Sequence, residues 1–275
     1  MTSTTEHLLR LDLWPDRPPH ALGDRPEDRP FLEVCLPDPD RATGAAMLAL
    51  PGGCYTFLSP KSGIDYARWL AANGIVGIAV HFRLGANGYH WPAIYADGRQ
   101  ALAVTHQHAA EWGVDPARIG VIGTSAGGHL ATMLITGAAF DDPAEAERLR
   151  PAAGVLCYPV VSLLDPIAHA ETRGNLLGAQ AGDPALRERH SGHLRAGAAT
   201  PPCFIWHTLT DDEVPAAHSE LFAAALRANG VPYELHLYGH GAHALGLARD
   251  EGLHWAEDCL RWFAHQGLLS AGGGR

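Results

Sequence analysis

Gly123-Thr124-Ser125-Ala126-Gly127 sets a serine hydroxyl between glycines two positions away on either side. A serine at a sharp strand-to-helix turn takes strained backbone angles, and any side chain at those flanking positions would strike the adjoining strand and helix. The turn lifts the hydroxyl to the carboxyl edge of a sheet. It also aims the free N–H groups of the helix start at negative charge forming on a carbonyl oxygen. A five-letter pattern arises by chance, and its plain alternative is a Gly-rich turn with a structural serine. The flanks favour the chemical reading: Arg118–Gly123 reads as a strand and Ala126–Ile135 as a helix, the context this motif requires.

A serine hydroxyl is a weak nucleophile and needs a general base oriented by a carboxylate, in the chain order Ser, Asp or Glu, His for this kind of turn. The strand-like Cys203–Thr208 runs into Leu209-Thr210-Asp211-Asp212-Glu213. Asp211 lies nearest the strand end; Asp212 and Glu213 also fit an acidic helix start, where negative charge is favourable. Further on, Gly239-His240-Gly241-Ala242-His243 offers two histidines on a Gly-rich loop. The chain holds 17 histidines, so His106, His108, His190 and His193 read as surface or core residues. Nothing beside His106 and His108 completes a ligand set, so no metal site is expected. Pro51-Gly52-Gly53-Cys54-Tyr55 follows another strand, and the N–H groups of Gly53 or Cys54 and of Ala126 could form an oxyanion hole.

These residues need a scaffold that brings strand ends together. Short apolar runs at 31–36, 45–50, 75–82, 118–123, 155–158, 203–208 and 233–238 read as strands. Helical stretches fall between or after them at 63–73, 93–112, 126–135, 214–228 and 253–265. Alternation of this kind predicts an α/β fold, a mainly parallel central sheet with helices on both faces. The first thirty residues read as an irregular lead-in. Residues 162–200, weakly periodic and rich in Gly, Arg and His, read as an insertion over the active edge of a single domain spanning 1–275.

Composition narrows the functions. The 275 residues are 47% hydrophobic, enough for a sizeable core. A formal charge of −10, with no basic tract, speaks against nucleic acid and against anionic membranes. No apolar stretch is long enough to span a bilayer, and the first residues have neither the basic nor the apolar region of a secretory signal. Five dispersed cysteines without a C-x-x-C pair suit reduced thiols, so a cytoplasmic location is expected.

The chain resembles the α/β-hydrolase esterases related to bacterial acetylxylan esterases, distant cousins of the hormone-sensitive-lipase group, over about Trp14 to Leu247. The resemblance is carried by Pro51-Gly52-Gly53-Cys54-Tyr55, Phe82-Arg83-Leu84-Gly85 and Asp115-Pro116-Ala117-Arg118-Ile119-Gly120. It continues through Ser125-Ala126-Gly127-Gly128-His129-Leu130-Ala131, Asn175-Leu176-Leu177-Gly178, His207 to Pro215, and Gly241-Ala242-His243 to Leu247. It implies Ser125, Asp211 and His243 as the triad, and so favours Asp211 over Asp212 and His243 over His240. Three departures bear on the substrate. Cys54 stands where the family has glycine, Phe82 where it has tyrosine, and Ala244-Leu245 where it has Gly-Phe.

The expected activity is cofactor-free hydrolysis of a small short-acyl ester, an acetylated sugar or xylo-oligosaccharide being the substrate that the resemblance implies. Tyr55 and Trp91 are candidate flat faces for a sugar ring, and Cys54 either narrows the acyl pocket or is buried as a small hydrophobe. Two rivals are a serine peptidase of the same fold, for whose added propeller the chain is too short, and a binding protein that has lost the triad.

Overall fold

A computed structural model of the chain describes residues 8–269. The strands are β1 (Leu8–Asp12), β2 (Phe31–Cys35), β3 (Ala46–Leu50), β4 (Val76–His81), β5 (Ile119–Thr124), β6 (Gly154–Cys157), β7 (Cys203–Thr208) and β8 (Tyr233–Tyr238). The helices are α1 (Ile64–Ala72), α2 (Trp91–His108), α3 (Ala126–Ile135), α4 (Pro143–Arg148), α5 (Ala170–Leu177), α6 (Pro184–Arg189), α7 (Ala217–Ala228) and α8 (Trp255–His265). The strands form one sheet in the order β1-β2-β4-β3-β5-β6-β7-β8, antiparallel from β1 to β4 and parallel from β4 to β8.

Strand periodicity divides the core into two layers. Ala46, Leu48 and Leu50 of β3 and Cys203 and Ile205 of β7 face a cluster completed by α2, α3 and α7. Met47 and Ala49 of β3 and Phe204 and Trp206 of β7 face the other cluster, with Tyr66 and Trp69 of α1 and Trp255, Trp262 and Phe263 of α8. Covering both faces explains why the central strands read as continuous apolar runs. The arrangement is the α/β-hydrolase fold, with helices on both faces of a mainly parallel sheet.

Two expectations need correction, and three short helices lie where none was predicted. Part of the lead-in is strand β1, whose Leu9 pairs with Val34 and Leu11 with Leu32. Five largely exposed residues carry too little pattern to announce themselves; the partner β2 makes them a strand. Helix α2 starts at Trp91, where Pro92 fits the first turn, and stops at His108 rather than Trp112. Residues 162–200 hold α5 and α6, two short helices started by side chains that accept backbone N–H bonds, His169 for α5 and Asp183 for α6. Helix α4, started by Asp142 in the same way, was also not expected.

The lead-in is anchored by a buried ion pair. Arg83 Nε and Nη2 donate to the two oxygens of Asp97 at 2.8 and 2.7 Å, and the Arg83 N–H adds a third bond at 3.0 Å. Arg83 Nη1 donates to the Pro19 carbonyl and Trp14 Nε1 to Asp97 Oδ1, tying the lead-in to α2. Both side chains are wholly buried. Removing one member strands the other charge in the core, which costs about 3–5 kcal/mol. Asp97→Ala is therefore expected to lower stability by that amount in urea titration. A loss below about 1 kcal/mol, the scale of an exposed pair, would contradict this account.

Candidate active site

Three loops at the carboxyl edge of the sheet make the site. Ser125 joins β5 to α3 with φ 54° and ψ −119° and is 4% exposed. The space around it requires the glycines. A Cβ at Gly127 would lie 2.0 Å from the Leu50 carbonyl oxygen, and one at Gly123 would lie 2.4 Å from that of Gly127. The Ser125 carbonyl accepts from His129 and Val160, and its N–H donates to Cys157, so the turn is tied to both neighbours.

The Ser125 hydroxyl is 2.9 Å from Nε2 of His243, and Nδ1 of His243 is 2.6 Å from Asp211 Oδ2. A carboxylate can only accept, so Nδ1 carries the ring proton and Nε2 presents a lone pair to the serine. Asp211 Oδ1 accepts the N–H groups of Glu213 and Val214, at 3.0 and 2.9 Å. Burial by itself raises the pKa of this carboxyl, but bonds from His207, His243 and the Val214 N–H outweigh burial and hold it well below the usual carboxylate range. Asp212 and His240 are exposed. The histidine loop is clamped from both sides. Thr208 and Thr210 hydroxyls donate to the Gly241 carbonyl, while Tyr66 and Trp255 donate to that of Gly246.

The loop that carries the candidates Gly53 and Cys54 passes the serine at Gly52, where a Cβ would lie 3.1 Å from that of Ser125. Gly53, Cys54 and Tyr55 all have positive φ, 126°, 56° and 59°. Among the described residues, no protein acceptor takes the N–H of Gly53, Cys54 or Ala126. The Cys54 thiol is half-buried, with Glu171 and Thr172 of α5 and Glu213 of the acid loop around it. Burial pushes its pKa up to about 11, so it stays a neutral thiol at pH 7. Asn175 of α5 donates to the Cys54 carbonyl and to Thr56, and Thr56 donates to Glu171. The 162–200 segment is thereby fastened onto this loop.

Of the two sugar-face candidates, Tyr55 lies in the core and Trp91 is partly exposed. Tyr55 is 1% exposed, and its hydroxyl donates to Nδ1 of His129 under the serine turn. Its left-handed backbone folds the ring into the core, where the phenol needs a partner and α3 supplies one. Trp91 packs on Tyr95 and His190, with the Arg189 guanidinium 5.0 Å over its ring, and no hydrogen bond or ring contact joins it to Ser125 or His243.

Sequence reasoning missed three histidines. His207, on β7, lies 3.3 Å from Asp211 Oδ2. His169 starts α5, accepting from the Thr172 N–H through Nδ1. His218 accepts from Val161 and Ser162 and donates to Ile167. A signal existed for His207: a polar residue inside a buried apolar strand must have a partner.

Residues 32–226 match the BD-FAE family. The acetylxylan esterase of Xylanibacter ruminicola is 29% identical over 76% of the chain, and endo-1,4-beta-xylanase B of Butyrivibrio fibrisolvens is 30% identical over 74%. The chain spans only 42% and 33% of those two curated relatives. The acetyl ester-xyloside bifunctional hydrolase from Caldicellulosiruptor lactoaceticus superposes with a TM-score of 0.85 at 36% identity, over 95% of this chain and 97% of that one.

Histidines around the site make stability pH-dependent. Burial lowers the pKa of His129 and His218 to about 4 and of His190 to about 3. In the unfolded chain all three return toward about 6.5. Below that pH the unfolded state binds more protons than the folded one, so stability falls as pH falls. The urea midpoint is expected to hold above about pH 6.5 and to drop steadily toward pH 4, before most carboxylates titrate. A midpoint flat across that window would refute the neutral, buried assignment.

Proposed function

Since the chain belongs to the BD-FAE family, we propose that it is a serine carboxylic-ester hydrolase that removes short acyl groups, acetyl above all, from sugars or xylo-oligosaccharides. The observation that carries the reading is the unbroken line from the Ser125 hydroxyl through His243 to Asp211. The named activities of the related acetylxylan esterase and acetyl ester-xyloside hydrolase support the acetyl-sugar class.

The proposed reaction has two steps. Ser125 Oγ attacks the ester carbonyl while its proton passes to His243 Nε2. The imidazolium then gives that proton to the departing alcohol oxygen, leaving an acyl-serine. Water follows the same path: His243 takes its proton, the hydroxide oxygen bonds to the acyl carbon, and the serine oxygen leaves with the proton. Asp211 keeps the Nδ1 proton in place and stabilises the imidazolium. The N–H groups of Ala126 and of Cys54 or Gly53 take the oxyanion. The short-acyl preference comes from Cys54, a neutral side chain on the loop that receives the carbonyl, under the fastened α5. No cofactor enters the reaction.

Two experiments test this. On a short aryl ester, Ser125→Ala and His243→Ala are expected to lose about 10⁶-fold in kcat and Asp211→Asn about 10⁴-fold. His240→Ala and Asp212→Asn should be nearly silent, and a larger loss at Asp212 than at Asp211 would reassign the acid. Along an acyl series, the rate is expected to fall from acetyl to butyryl and nearly vanish at octanoyl, because a clashing chain is excluded more strongly than a fitting methylene is preferred. Cys54→Gly should extend activity to longer acyl groups without loss of stability, as φ 56° suits glycine. Rates that rise from acetyl to octanoyl would sink the short-acyl assignment.

A further inference from the structure

We propose that His207 is a positioning residue for the triad, its ring N–H edge holding Asp211 Oδ2 in the orientation that receives His243; this rests on the hydrolase reading above. His207 is wholly buried in a strand whose neighbouring residues are Phe204, Ile205 and Trp206. Its Nε2 is 2.8 Å from the Val214 carbonyl, which can only accept, so Nε2 carries the proton. Its Nδ1 therefore accepts from the Ser219 hydroxyl of α7 at 2.8 Å. The tautomer is set from both sides, and the ring pins β7, the acid loop and α7 together.

A histidine that merely filled the core would be satisfied by Val214 and Ser219. Here the same Nε2–H edge also stands 3.3 Å from Asp211 Oδ2, the oxygen that His243 Nδ1 donates to at 2.6 Å. Oδ1 is taken by two backbone N–H groups. Asp211 cannot turn about its side-chain bond without losing partners on both oxygens. The buried Tyr158 ring packs in T-shaped contact with both imidazoles, its centroid 4.9 Å from that of His243 and 6.4 Å from that of His207. The second imidazole also draws charge from Oδ2, so the shared proton stays on His243 when the imidazolium forms.

The test compares His207→Leu, which keeps bulk without an N–H, with His207→Gln, whose amide can place an N–H near the position of Nε2. Per folded molecule, His207→Leu is expected to lower kcat roughly tenfold to a hundredfold with KM little changed, and His207→Gln to restore most of it. The downfield proton resonance of His243 Nδ1–H should shift in the Leu variant and return in the Gln variant. If His207→Leu does not fold, Ser219→Ala, which frees the ring and leaves its volume, should lower kcat and move the same resonance. Wild-type kcat with an unmoved resonance in the folded variant overturns the proposal, as does a Gln variant as impaired as the Leu one. A wild-type protein inactive on every acyl ester would refute the hydrolase reading instead. The resonance needs no turnover and still decides the role of His207.

Discussion

Everything at the carboxyl edge depends on holding Ser125 at a positive φ between β5 and α3. A residue with a Cβ resists this conformation at a cost of about 1–3 kcal/mol, and it persists only where the surroundings over-determine it. Here the surroundings do. The six residues of β5 are all buried, α3 is buried throughout, and Gly127 lies so near the Leu50 carbonyl that no side chain fits. The strain is held by the core of the sheet, so the hydroxyl stands at a defined point and the start of α3 points past it.

The second requirement is that two distant loops meet that point. Ser125 and His243 are separated by 118 residues, and Asp211 and His243 by 32. Adjacent parallel strands solve the problem, since β5, β6, β7 and β8 all end at the same edge. Threonines from the end of β7 and the acid loop then clamp Gly241, and aromatic donors from α1 and α8 clamp Gly246. Both layers of the core thus help to place one imidazole. The entropy of fixing it is offset in folding rather than in each turnover.

The same economy governs the substrate side. The loop at Gly53, Cys54 and Tyr55, proposed to receive the oxyanion, has three successive residues at positive φ, of which only Gly53 adopts that conformation freely. Asn175 and the pair Thr56–Glu171 grip this loop from α5. The segment that varies most from an ideal strand–helix alternation is therefore also what fastens the Gly53–Thr56 loop and sets the walls around Cys54. Specificity in such folds resides in loops for this reason: the sheet fixes the chemistry and leaves the rim free to change.

How much was legible follows from the range of each interaction. The elbow could be read because its demands are local: glycines two residues away, a strand before and a helix after, all within about twenty residues. Helix α3 and strands β7 and β8 have the bounds that their residue patterns predict, since burial on one or both faces writes itself into periodicity. Asp211 and His243 were legible as members of short acidic and His-rich loops. Choosing them over Asp212 and His240 took a family resemblance, because neighbours on a loop differ only in direction. The sequence by itself determined which residue types stand at strand ends, and hence the class of chemistry. Tertiary structure alone decided that Leu8–Asp12 is a strand, that Tyr55 turns into the core to meet His129, and that His207 shares a carboxylate with His243. Each of those outcomes is a contact between residues far apart in the chain or aimed by a backbone turn, and neither composition nor period encodes the direction of a side chain in space.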